Sequence, residues 1–115
     1  MEELIWLIIQ QIPAALLIHS IVLKTGKTTD DWGNDSFTTS TTVDRVRVEP
    51  KRQLVTSKDN QQVTTSAMMF VDCKLSSYTN FEIDNTITFN NKDYKVISID
   101  YLYTDRLHHL EIGLI

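Results

Sequence analysis

A small antiparallel β-barrel is the fold this sequence predicts: mainly β, about six strands, a short N-terminal helix and a long polar loop. Three observations predict it. From Val43 onward apolar residues recur with period two, the mark of half-buried strands. Helical segments do not alternate with the strands, so no parallel sheet is expected. Turn residues separate short aliphatic runs throughout, and closing such a sheet into a barrel removes its vulnerable edges.

The chain opens MEELIWLIIQQIP. Residues 2–11 read as a short helix with Leu4, Ile5, Leu7, Ile8 and Ile9 on a broad apolar face. Glu2 and Glu3 suit the positive end of its dipole, and Pro13 disfavours helical geometry at Ile12. Such a helix must cover either its own sheet or a partner subunit, and in the second case Leu4, Ile5, Trp6, Ile8 and Ile9 are the candidate partner-binding residues. The run does not read as a signal peptide, which opens on basic residues. Gln10, Gln11 and Pro13 interrupt it short of the roughly 20 apolar residues a bilayer requires. The barrel is expected over residues 12–115, in a single domain spanning 1–115.

Residues 16–23 form the first expected strand. The following stretch, TGKTTDDWGNDSFTTSTT, is dense in Thr, Asp and Asn and reads as a solvated hairpin loop turning at Trp32-Gly33-Asn34. Val46 and Val48 then alternate with Arg45, Arg47 and Glu49, and Pro50 ends that strand because it lacks a ladder donor. Residues 51–66 are polar and contain no Gly or Pro. They read as either a flexible loop or a splayed hairpin, since Leu54-Val55 and Val63-Thr64-Thr65 have β propensity. A loop of this length in a small domain is usually functional or disordered. Residues 68–73 form another strand. Phe81, Ile83, Ile87 and Phe89 then lead into Asn90-Asn91, a hairpin turn, and residues 94–99 lead out. The last strand places Leu110, Ile112 and Leu114 on one face.

Composition bounds the function. Eleven basic against fifteen acidic side chains give a net charge of −4, the wrong sign for a general nucleic-acid binder. The single Cys73 rules out an internal disulfide, and synthesis in the cytoplasm is the default expectation.

The segment YLYTDRLHHLEIGLI looks like a catalytic inventory. Yet adjacent residues of a strand point to opposite faces, so His108 and His109 are expected to diverge and to share no metal ion. The only other histidine is His19. Asp30, Asp31 and Asp35 lack the ligand spacing of a calcium loop. No Gly-x-Ser-x-Gly elbow appears, and Asp100 and Asp105 flank a turn, where carboxylates serve the backbone. Neither catalysis nor a cofactor is expected. The remaining chemical signal is a local basic cluster, Arg45, Arg47, Lys51, Arg52 and Lys58.

The order of short motifs resembles the minor capsid proteins of tailed bacteriophages of Gram-positive hosts. Ile12-Pro13 and Leu17-Ile18-His19-Ser20 are followed by Asp31-Trp32-Gly33-Asn34 and Val46-Arg47-Val48-Glu49-Pro50. Next come Ile87-Thr88-Phe89-Asn90-Asn91-Lys92-Asp93-Tyr94-Lys95-Val96 and Leu107-His108-His109-Leu110-Glu111. The apolar N-terminal helix departs from that pattern, and Asn91 stands where the turn would carry Gly.

That family is similar to head-closure, or stopper, proteins. The resemblance implies a non-enzymatic head–tail connector subunit in the virion, made in the bacterial cytoplasm. It implies a ring of about twelve copies below the portal and adaptor, a tail completion or terminator protein on the other side, and packaged double-stranded DNA in the channel. It also makes residues 51–66 the candidate channel loop, with Lys51, Arg52, Gln53, Lys58, Asp59, Gln61 and Gln62 as its polar contacts. No membrane partner is implied. The rival is an OB- or SH3-like nucleic-acid module, which requires Phe37, Tyr101 and Tyr103 to face solvent. A third reading, a small hydrolase, requires a buried Asp and His cluster.

Overall fold

Period-two patterning builds strands only where each strand finds a neighbour, and here the neighbours close into a ring. The computed structural model describes residues 14–115. The helix expected over residues 2–11, with Leu4, Ile5, Trp6, Ile8 and Ile9, lies outside them. After one 3₁₀ turn at Ala14–Leu16, the strands are β1 (His19–Thr29), β2 (Asp35–Glu49), β3 (Leu54–Thr56), β4 (Gln62–Thr64), β5 (Ala67–Asp72), β6 (Thr86–Phe89), β7 (Lys92–Tyr103) and β8 (Leu107–Leu114). Six of them form a closed antiparallel barrel in the order β1-β2-β5-β8-β7-β6, and β3-β4 is a separate two-stranded ribbon. The expected barrel is therefore present.

The interior is aliphatic. Ile21 and Leu23 of β1, Val43, Val46 and Val48 of β2, and Met69 and Val71 of β5 meet Ile87, Val96, Leu110, Ile112 and Leu114. Leu110, Ile112 and Leu114 are fully buried, as their alternation requires. Phe81, which lies between strands, adds its ring to this core and packs edge-on against Tyr78 at 5.5 Å.

Turn chemistry fixes the register. Asn90 and Asn91 both take positive φ, the type I′ geometry whose twist matches that of its flanking strands. The barrel seam is short, with only Val22, Leu23 and Lys24 of β1 facing Thr88, Ile87 and Thr86 of β6. A β-bulge near Arg45, itself at φ 60°, bends β2 opposite β1. The turn after β5 seals that bend: Asp44 N–H bonds Ser77 Oγ at 2.9 Å, and Ser76 Oγ–H bonds Arg45 O at 2.5 Å.

The polar stretch after residue 24 is strand rather than loop, which corrects the sequence expectation. β1 runs on to Thr29 and β2 begins at Asp35, leaving only residues 30–34 as the turn. The paired residues Thr25↔Thr39, Lys27↔Phe37 and Thr29↔Asp35 form an arm beyond the barrel. Hydroxyls replace hydrophobic pairing there: Thr28 and Ser36 bond at 2.6 Å, and Thr29 Oγ1–H bonds Asp35 at 2.8 Å. Cross-strand bonds of this kind leave no apolar period in the sequence.

Candidate functional site

The polar segment 51–66 is an ordered hairpin. Its tip, Ser57 to Gln61, is a β-turn closed by Asn60 N–H to Ser57 O at 3.0 Å, with Asn60 at φ 60°. Asparagine tolerates this left-handed position, so the turn closes without glycine. The tip of the β1–β2 arm repeats the design: Gly33 N–H bonds Asp30 O at 3.1 Å, and Gly33 takes φ 80°.

At the hairpin's root, Thr65 acts as a clamp. Its buried Oγ1 accepts from Gln53 N–H at 3.0 Å and donates to Lys51 O at 2.8 Å. Its own N–H bonds Gln53 O at 2.9 Å. Val55, at the centre of β3 and paired with Val63, is buried.

At the tip, Lys58 Nζ donates to Asp84, which lies between Phe81 and β6. Lys95 Nζ of β7 approaches the other oxygen of Asp84 at 3.1 Å. These two ammonium groups, bonding first through Lys58 and then through Lys95, hold the Asp84 carboxyl below its ordinary value. The bond to Asp84 in turn raises Lys58. Between tip and barrel lies a cleft of about 240 Å³ that Val63, Ile83 and Ile97 help to line. The tip is thus held by exposed charges across incompletely filled space rather than by tight packing.

The seven candidate loop residues divide into two groups. Lys51, Arg52 and Gln53 sit at the root beside the end of β2. Lys58, Asp59, Gln61 and Gln62 sit at the tip and the start of β4, across the turn. Sequence reading missed Thr65, Asp84 and Lys95 as the residues that hold the hairpin. The Ile83-Asp84-Asn85 turn was a weak signal, but nothing local couples Lys58 to a carboxylate 26 residues away.

The basic cluster is likewise resolved into separate roles. Arg47 Nε bonds Glu49 at 2.5 Å and its Nη1 reaches Leu16 O at 3.3 Å. Among the described residues Arg45, Lys51 and Arg52 make no ion pair.

His108 and His109 do not diverge. Tyr103 pairs with Leu107 while Leu102 pairs with His109, so β8 bulges at His108 and loses its alternation. The two Nδ1 atoms lie 2.9 Å apart, which needs a proton on one and a lone pair on the other. Burial holds His109 below its ordinary value, and His108 adds to this against the opposing charges of Glu111 and Asp72. Buried Asp72 accepts from Lys74 N–H at 2.8 Å and Leu75 N–H at 2.9 Å, so it serves the turn after β5. No group of three or more His, Cys, Asp or Glu with metal-binding placement occurs among the described residues. His19 is architectural: its Nδ1 accepts from Val48 N–H at 3.0 Å and its ring meets Phe89 edge-on.

Tyr101 and Tyr103 are 51% and 68% exposed, whereas Phe37 is only partly so and lies 5.7 Å below the Lys24 ammonium. No helix among the described residues is long and apolar enough to cross a membrane.

A family model described as "Minor capsid protein" matches residues 13–114, nearly the whole chain. A search among curated proteins finds no match.

Proposed function

Because this chain belongs to the minor capsid protein family, it is a structural virion component, and we propose that it is a head–tail connector subunit. In this reading several copies form a ring below the portal and adaptor, close the DNA exit channel and offer a surface to a tail completion or terminator protein. It acts without catalysis.

The observation that carries the reading is the β3–β4 hairpin. Its root is clamped shut by Thr65 and joined to β8 through Ser66 N–H to Leu114 O, while its tip is held by the exposed ion pair of Lys58 with Asp84. Exposed pairs contribute little and are screened by salt, so the tip can swing at modest cost. A ring that brings such tips toward its axis acquires a gate. Lys58 and Asp59 cancel in charge, which suits a plug that meets DNA without gripping it. The closed barrel supplies the rigid body that such a gate requires.

Cryo-electron microscopy of virions of the parent phage tests this. The expected result is a ring of this chain in the neck with residues 57–61 nearest the axis. Density at the tail tip, or absence from the particles, would overturn the connector reading.

The rival nucleic-acid module has exposed Tyr101 and Tyr103 in its favour. Asp100, Asp105 and Glu111 share that end of the sheet, however, and repel phosphate. Titration with labelled single-stranded oligonucleotides should therefore show no salt-dependent binding.

A further inference from the structure

A two-stranded ribbon is marginally stable by itself in water. The β1–β2 arm is such a ribbon, since β6 leaves β1 at Lys24 and β5 pairs β2 only from Val46 onward. Both outer edges of the arm beyond these points lack a strand partner among the described residues. At its tip Trp32 is 89% exposed, between Asp31 and Gly33. Asp30 accepts from Trp32 N–H at 2.9 Å and Asn34 N–H at 2.8 Å, which fixes the turn, while Asp31 makes no ion pair or side-chain hydrogen bond among the described residues. The tip therefore presents one large aromatic ring in an acidic setting.

The complementary surface lies on the barrel of the same chain. Leu16 and Ile18 are exposed, Ile18 by 66%, and Arg47 reaches back to Leu16 O. Arg45 precedes this contact along β2, and Lys51 and Arg52 follow the end of the strand, all three exposed and without an ion pair among the described residues. Arg47, paired with Glu49, sits against the apolar side chains, and the further cations Arg45, Lys51 and Arg52 along and just beyond the same strand leave this side net basic. That matches an aromatic ring beside a carboxylate in both shape class and sign.

We propose that the arm tip of one copy docks on the Leu16, Ile18 and basic β2 surface of the next copy. Tip and receptor are different surfaces, so the contact is heterologous. It leaves a free tip and a free receptor after each addition, and closes when the rotation completes a ring. The occupant of the basic surface is thus a second copy of this chain rather than DNA. This deepens the connector reading and rests on the chain being a ring subunit. It also separates the labour of the segment 51–66, with root cations to the neighbour and tip to the channel.

Full-length chain carrying p-benzoylphenylalanine in place of Trp32 tests the contact when supplied to the parent phage during growth. Irradiated virions should yield an adduct to residues 16–18 or 45–52 of a second copy. An adduct to another virion protein or elsewhere on this chain overturns the proposal, as does none despite incorporation. Charge reversal is the second arm. Asp31→Lys and Arg52→Glu should each lower incorporation about tenfold or more, and the pair together should restore it. Unchanged incorporation, or loss without mutual rescue in folded variants, also overturns it. The two readings fail separately. A neck ring marked elsewhere by residue 32 removes the docking alone, whereas the expected adduct in copies away from the neck removes the connector reading alone.

Discussion

The ammonium of Lys58 bonds the carboxylate of Asp84, 26 residues further along the chain, and Lys95 approaches the same carboxylate from β7. Lys58 belongs to a hairpin tip and Lys95 to the barrel wall, so Asp84 ties a projecting element to the rigid body. Asp84 itself takes φ 70°, a conformation that asparagine shares readily. Asp84→Asn therefore removes charge without disturbing the backbone. Tryptic cleavage after Lys58 should rise several-fold, following the larger open population, while the thermal midpoint of the barrel barely moves.

The same latch has a defined pH window. Asp84 is lowered from the ordinary aspartate value of 3.8 by its bonds to Lys58 and then Lys95. Its contribution is full above that value and is lost as pH falls through the lower folded value. Lys58 is raised above 10.5 by Asp84, so its contribution is full below 10.5 and lost as pH rises through the folded value. Amide resonances of residues 57–61 should accordingly stay constant through neutral pH and shift only toward these extremes. A transition near pH 6–7 at the tip would contradict this assignment.

His109 works in the opposite sense. Its folded value lies below the ordinary 6.5, first because of burial. Below 6.5 the unfolded chain takes up protons that the folded chain resists, so stability falls as pH drops from 6.5 toward the folded value. Glu111, Asp72 and His108 face the group and moderate or reinforce this. Denaturant melts across pH 5–8 should show that slope in the parent protein. His109→Gln, which keeps a hydrogen-bonding side chain, should flatten it.

Thr65→Val tests the root clamp. Valine preserves shape but leaves Gln53 N–H and Lys51 O without the hydroxyl. Loss of such buried bonds costs about 1–3 kcal/mol. The urea midpoint should fall with an unchanged slope, and hydrogen exchange should accelerate at Gln53.

Gly113 is fixed by crowding. A Cβ there would stand 2.4 Å from Ser98 Oγ and 3.0 Å from Thr65 Cγ2. Overpacking of this kind costs about 1–3 kcal/mol, so Gly113→Ala should lower the thermal midpoint. Ser98 Oγ is buried without a hydrogen-bond partner among the described residues, so Ser98→Ala alone should be neutral or stabilising. Combined with Gly113→Ala it should recover part of the loss. Strict additivity of the two effects would show that the hydroxyl is not the obstacle.

Much of the barrel was legible in the residues themselves. Val46 with Val48, and Leu110 with Ile112 and Leu114, declare their buried face by alternation, because successive strand side chains point to opposite sides. Asn90-Asn91 declares its turn, because few other residues accept two positive φ angles in succession. Family membership, too, was expressed in the order of short motifs and agrees with the match over residues 13–114.

Tertiary structure decided the rest, for reasons of distance and of pairing. The arm from Thr25 to Thr39 carries no apolar period, and only its cross-strand bonds make it a ribbon rather than a loop. His108 and His109 meet because a bulge opposite β7 breaks an alternation that the sequence alone would have continued. Asp84, Lys95 and Thr65 hold the candidate gate through contacts between residues far apart in the chain, which local propensity does not encode. Local chemistry thus determined which segments become strands and turns. Which charged side chains meet across the folded surface was settled only when the barrel closed.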